Sequence, residues 1–114
     1  MMPVCTNLTP LFGEHAALME RICRSIMALP GVERIIVYGS YAKGEARSES
    51  DVDIAVFFDR QGAEPLKTEY RALARICRNA ELDVQAQPFH LYELDEPCGI
   101  IDEVARYGVE IRLP

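Results

Sequence analysis

Residues 38–58 read Tyr-Gly-Ser-Tyr-Ala-Lys-Gly-Glu-Ala-Arg-Ser-Glu-Ser-Asp-Val-Asp-Ile-Ala-Val-Phe-Phe, and this stretch decides the fold. Ile35-Ile36-Val37-Tyr38 is a β-branched and aromatic run, which predicts a strand buried on both faces. Gly39-Ser40 follows at once, and Tyr41 to Ala46 can form a short helix. Val52, Ile54 and Val56 then alternate with Asp51, Asp53 and Ala55, the period of a second strand. Asp51 and Asp53 stand two apart, so a strand projects both carboxylates from one face.

Upstream, Thr9-Pro10 reads as an N-cap followed by proline in the first turn. Leu11, Leu18, Ile22, Cys23, Ile26 and Leu29 recur at helical spacing until Pro30-Gly31. Downstream, a long helix is predicted from about Pro65 to Ala80, with Leu66, Tyr70, Leu73, Ala74 and Cys77 as its buried stripe. Leu82, Val84 and Ala86 alternate with Asp83, Gln85 and Gln87 as a third strand. Pro97 opens a last helix carrying Ile100, Ile101, Val104 and Ala105, closed by Gly108 as a C′ glycine. Val109, Ile111 and Leu113 form a possible short terminal strand.

The order α-β-α-β-α-β-α is that of a small mixed α/β sheet with helices packed on it, expected as one domain over residues 1–114. A short connection suits antiparallel neighbours for the first two strands, and a helical crossover suits a parallel pair for the second and third. On that topology Gly39-Ser40, Asp51, Asp53 and Asp83 meet at one rim of the sheet. Three carboxylates in one place repel one another and stay ionised together only beside a cation. Oxygen-only ligands and an incomplete shell suit magnesium, which takes its remaining ligands from water and substrate phosphates. Two ions about 3.5–4 Å apart would serve both the attacking and the leaving oxygen of a displacement. Gly39 permits close approach of a phosphate, the amides and hydroxyl beginning at Ser40 can hold its oxygens, and Lys43 can reach it as a point charge.

The glycine-serine pair, the ten residues that follow it and then Asp51-Val52-Asp53 resemble the signature of the DNA polymerase β-like nucleotidyltransferase superfamily. The whole order of elements resembles its stripped-down branch, the minimal nucleotidyltransferases. The resemblance implies that Gly39 and Ser40 bind a nucleoside triphosphate with help from Lys43, where many relatives carry arginine. It implies that Asp51, Asp53 and Asp83 are the catalytic and metal-binding carboxylates, with Glu81 the nearest competitor of Asp83. It further implies transfer of a nucleoside monophosphate, AMP from ATP, to an acceptor hydroxyl. The acceptor would be a tyrosine of a small helical HEPN-domain partner, with the minimal member acting as antitoxin. Two other readings stay open: a binding module that neutralises its partner by occlusion, and a small-molecule nucleotidyltransferase.

The remaining features bound these readings. The formal charge of −6 and pI near 4.9 argue against a chain that lives on nucleic acid. Cys5, Cys23, Cys77 and Cys98 stand far apart with no CxxC pair, so zinc-finger and thioredoxin-like sites are not supported. They read as reduced thiols of a cytoplasmic protein. No signal peptide or membrane span is evident. Lys67, Arg71, Arg75 and Arg78 form a basic stripe, by default a solvated helix face and otherwise a docking surface for an acidic partner. His15 and His90 read as structural or surface residues, Ser50 as a turn residue, and the tyrosines as packing residues, with Tyr41 adjoining the phosphate loop.

Overall fold

A computed structural model describes residues 2–114. A five-stranded sheet runs in the order β1-β5-β2-β3-β4, built from β1 (Val4–Cys5), β2 (Val32–Tyr38), β3 (Val52–Phe58), β4 (Val84–His90) and β5 (Val109–Ile111). The helices are α1 (Thr9–Phe12), α2 (Ala16–Met27), α3 (Ser40–Lys43), α4 (Lys67–Cys77) and α5 (Ile100–Tyr107). β2 and β3 pair antiparallel, and β3 and β4 pair parallel around the α4 crossover. β5 closes the other side, antiparallel to β2 and parallel to the short β1.

The two faces of the sheet are covered unequally. On one, Ile35, Val37, Val52, Ile54 and Val56 pack against Met19, Ile22, Cys23 and Ile26 of α2 and Leu73 of α4. Met19, Ile22, Cys23 and Ile26 recur at three- and four-residue spacing, so a single stripe of α2 meets the sheet. On the other face, Ile36, Tyr38, Ala55 and Phe57 lie under Ile101 and Val104 of α5 alone, with Phe89, Leu91 and Leu94 at the margin. β3 is buried along its whole length except at Asp53, which explains its unbroken apolar run after that residue.

Several expectations need correction. The first helix is not continuous from Thr9. Gly13 takes φ 53° and ends α1, and a 3₁₀ turn over Gly13–His15 leads into α2. Thr9 is the first residue of α1 rather than its cap, and its N–H donates to Asn7 Oδ1 at 3.0 Å. The short helix covers Ser40–Lys43 rather than residues 41–46, stopped by Gly44 in the left-handed region. The third strand starts later and runs to His90, through Pro88. β4 is an edge strand, where a residue without an N–H is accommodated on the unpaired side. Tyr70 and Ala74 are exposed, because the sheet stops at β4 and no strand lies beneath that part of α4. Gly108 ends α5 at φ −71°, not in a left-handed turn. Its role is close approach: a Cβ there would strike the Val104 carbonyl and Ile36 Cγ2.

All four cysteines are free. Burial, with a further contribution from Cys77, pushes the Cys23 thiol up to about 12, so it behaves as a small core hydrophobe. His90 is buried, with Nε2 2.8 Å from the Glu64 carbonyl and its ring stacked on Tyr92. Among the described residues no helix is long and apolar enough to cross a membrane.

Candidate active site

The rim is assembled by strand register. Val52 pairs with Val84, and the Val52 N–H donates to the Asp83 carbonyl at 2.8 Å. Asp51 and Asp83, each one residue ahead of its strand, therefore stand level. Their carboxyl groups come within hydrogen-bonding reach, and this contact, followed by the Asp83 charge and desolvation, raises the Asp51 carboxyl above its ordinary value. Asp83 Oδ1 also accepts from Gln85 Nε2 at 2.8 Å.

Asp53 sits one pleat further along β3, opposite Tyr38 at the end of β2. Its carboxylate lies against the backbone of Gly39, where an added Cβ would stand 2.5 Å from Oδ2. Gly39 also takes φ 74°, so the position combines a left-handed backbone with a space that only hydrogen can share. Burial first, then the charges of Asp51, Glu103 and Asp83, raise the Asp53 carboxyl. Tyr38 is raised too, by burial and then by Asp53 and Glu103.

Gly39 leads directly into α3, whose opening amides, like those of any helix, have no carbonyl one turn earlier to receive them. Ser40 is half-buried at this start, and its carbonyl accepts the Glu45 N–H at 2.9 Å. Gly44 turns the chain back, and Ser50 Oγ accepts the Arg47 N–H at 2.8 Å, a side-chain turn ahead of Asp51. Tyr41 faces away from the rim and packs on Phe12, ring centroids 5.3 Å apart. Lys43 reaches across to α5: Nζ lies 3.6 Å from Glu103 Oε1 and 5.0 Å above the Tyr107 ring.

Glu103 is the residue the sequence reading missed. It adds a fourth carboxylate to the field at Asp53 and holds the one lysine of the loop. Its spacing shows only a polar residue between Ile101 and Val104, the two α5 residues buried against the sheet; what brings it to the rim is the passage of α5 over Tyr38.

Among the described residues no group of three His, Cys, Asp or Glu side chains converges into a ready-made metal cage. The donor chemistry nonetheless fits a hard divalent cation that keeps part of its water shell. Asp51, Asp53 and Asp83 offer only oxygen, pair with no arginine or lysine among the described residues, and the repulsion among them helps raise the Asp51 and Asp53 carboxyls. The flanking α3 amides and Lys43 supply positive potential for an anion on the glycine side.

Comparison with known proteins decides the family. The profile described as "Polymerase beta, Nucleotidyltransferase" matches residues 20–111, from the second turn of α2 through β5. The chain belongs to this nucleotidyltransferase family. A Methanocaldococcus jannaschii protein named "putative protein adenylyltransferase" is 33% identical over 82 residues, covering 70% of this chain and 79% of its own length. A crystal structure described as a "putative nucleotidyltransferase" from Sulfolobus solfataricus shares the fold, with TM-score 0.62 at 20% identity over 82% of this chain and 76% of that one. The matched span contains the whole rim, Gly39, Ser40, Lys43, Asp51, Asp53, Asp83 and Glu103, so this chain is a nucleotidyltransferase with its candidate chemistry inside the family's own segment.

Proposed function

We propose that the protein transfers AMP from ATP to a hydroxyl of a protein acceptor, using magnesium held at Asp51, Asp53 and Asp83. The observation that carries the reading is the placement of the Asp53 carboxylate against the Gly39–Ser40 turn. In this reading Asp53 is a cation ligand and the turn beside it a phosphate cradle, and their close approach supports the two acting together. The name of the M. jannaschii relative supports a protein as acceptor.

In this reading the Gly39–Ser40 turn and the first amides of α3 hold the triphosphate, and Lys43 leaves Glu103 to join them. An exposed ion pair is worth about 0.2–1 kcal/mol, so the triphosphate competes for Lys43 at small cost. Asp51 and Asp53 would hold magnesium, with Asp83 completing the site nearest the acceptor. When bound, the metal neutralises charge on the phosphates and on the departing pyrophosphate. The acceptor oxygen bonds to the α-phosphorus as the bond to the pyrophosphate oxygen breaks, and the hydroxyl proton passes to Asp83. Pyrophosphate leaves and the acceptor carries a phosphodiester-linked AMP.

By resemblance to minimal nucleotidyltransferases, the acceptor is a tyrosine of a HEPN-domain partner, and modification silences that partner, which makes this chain an antitoxin in the cytoplasm. The test is transfer of label from α-labelled ATP with magnesium to the co-purifying or gene-neighbour partner, with Asp53→Asn alongside. Label on a partner tyrosine, lost in the variant, is the expected result. A tight inhibitory complex with no label from any of the four NTPs would replace the reading with inhibition by occlusion.

A further inference from the structure

β4 leaves one edge of the sheet open next to Asp83, and that edge has a definite register. The Asp83 carbonyl points at β3, where it accepts from Val52. In a parallel ladder the backbone groups of successive residues alternate in direction, so Asp83, Gln85 and Gln87 face β3 while Val84, Ala86 and Pro88 face outward. Val84 and Ala86 thus each present an N–H and a carbonyl on the open side, and Pro88, which has no N–H, ends the usable edge. A groove of about 320 Å³ runs along this edge, lined by Asp83, Val84 and Ala86 and by Tyr70, Ala74 and Arg78 on the α4 side. Tyr70 is 55% exposed there, a large ring held above the groove.

The charge beside the groove opposes the charge of the chain. Lys67 and Arg71 lie on the helical stripe next to Ala74 and Arg75 extends it, while Arg78, just past the end of α4, lines the groove itself. Among the described residues none of these four pairs with a carboxylate, whereas Glu69, the one acidic residue of α4, is taken up by Arg60. A chain of net charge −6 thus carries a row of cations, unpaired among the described residues, on the helix beside the open edge of β4, which begins at its candidate catalytic carboxylate.

We propose that this edge is the acceptor-docking surface: an extended, acidic segment of the acceptor protein adds to β4 as a further strand, bonding to the backbone of Val84 and Ala86. Side chains of an added strand alternate between faces. One set packs on Tyr70 and Ala74 with acidic residues beside Arg71, Arg75 and Arg78. The other set faces the Asp83 side, where an uncharged hydroxyl side chain avoids repulsion from the carboxylates. The proposal rests on the protein-acceptor reading for its consequence but not for its binding test. Main-chain pairing supplies affinity and the cations select acidic sequence, the mode of strand-addition domains.

The test uses the full chain without ATP or metal, and a fluorescent copolymer of glutamate and tyrosine as probe. Anisotropy is expected to report binding that weakens about tenfold or more in Arg71→Glu/Arg75→Glu. It is expected to weaken similarly in Ala86→Pro, which removes an outward N–H. Hydrogen exchange is expected to show new protection at Val84 and Ala86. If Ala86→Pro fails to fold, the exposed α4 double variant and the exchange map still decide. Unchanged affinity in the double variant, protection confined to other elements, or tighter binding of single-stranded RNA to the same residues would each overturn the proposal. Binding as expected, with no label passing from ATP and magnesium to the bound copolymer or to the partner, supports the docking edge and counts against the protein-acceptor reading alone.

Discussion

The same face of the sheet carries two acidic sites that are opposites, one a single carboxylate and the other a group of three. Glu110 of β5 pairs with Ile36, Ile36 pairs with Ala55, and Ala55 lies two residues from Asp53, so Glu110 and Asp53 project from one face. Glu110 is buried, yet it has its cations. Arg34 Nη2 and Nε lie 2.6 and 3.2 Å from Oε1, and Arg112 Nε lies 3.3 Å from Oε2. Burial alone would raise its carboxyl; Arg34 and then Arg112 outweigh burial and hold it below its ordinary value. Asp51, Asp53 and Asp83 lie more open but share no such partner, and Asp51 and Asp53 are raised. The comparison teaches that this chain compensates a carboxylate with arginine where the charge is structural. At the rim it supplies no such cation of its own, as the proposed metal site requires.

The largest expected effect breaks the rim. Asp53→Asn is expected to lower transfer by on the order of 10³-fold, measured as incorporated label per minute, while circular dichroism stays unchanged. Its thermal midpoint at neutral pH is expected to equal or exceed the wild type, because the raised carboxyls oppose folding. A raised group binds its proton more tightly in the folded chain, so stability falls as pH rises from the ordinary value through the raised one. The variant's advantage should therefore open above the ordinary carboxylate range, and added magnesium should narrow it. Gly39→Ala is next, expected to cost about 2 kcal/mol in chemical denaturation and to remove activity, since the new Cβ meets Asp53 Oδ2 at a left-handed backbone position.

The structural cluster should respond in the reverse sense. Arg34→Met is expected to destabilise by about 2 kcal/mol in urea, less than for a fully buried pair because Arg34 is 32% exposed. The Glu110 carboxyl is depressed, so its contribution is complete above the ordinary value and disappears as pH falls through the depressed one. The gap between Arg34→Met and wild type should close in acid, and transfer per folded molecule should be unaffected. Equal loss at all pH values would show that packing, not charge, links Arg34 to Glu110. The smallest effect belongs to Glu103→Gln, which frees Lys43 from an exposed pair and is expected to lower the KM for ATP about twofold without changing kcat.

The sequence made the rim legible because strand parity and strand order are both written in the apolar pattern. Asp51, Asp53 and Asp83 could be placed at one end of the sheet from alternation and the α4 crossover alone. Three features were hidden for physical reasons. The two-residue β1 carries no periodicity, and its pairing is fixed only by β5. The exposure of Tyr70 and Ala74 depends on the sheet ending at β4, which a helical stripe does not reveal. Glu103 reaches the site through α5 crossing over Tyr38, a tertiary placement absent from local spacing. Gly108 shows the same limit: its sequence position suggests a helix-ending turn, while the need for it comes from Val104 and Ile36.

The central claim is that Asp53 and its neighbours are a cation site serving a nucleotide. Calorimetric titration of magnesium with a non-hydrolysable ATP analogue into wild type and Asp53→Asn tests it most directly. The account predicts metal-dependent binding of the analogue to the wild type and its loss in the variant. Equal affinity in both, or binding indifferent to magnesium, would contradict it.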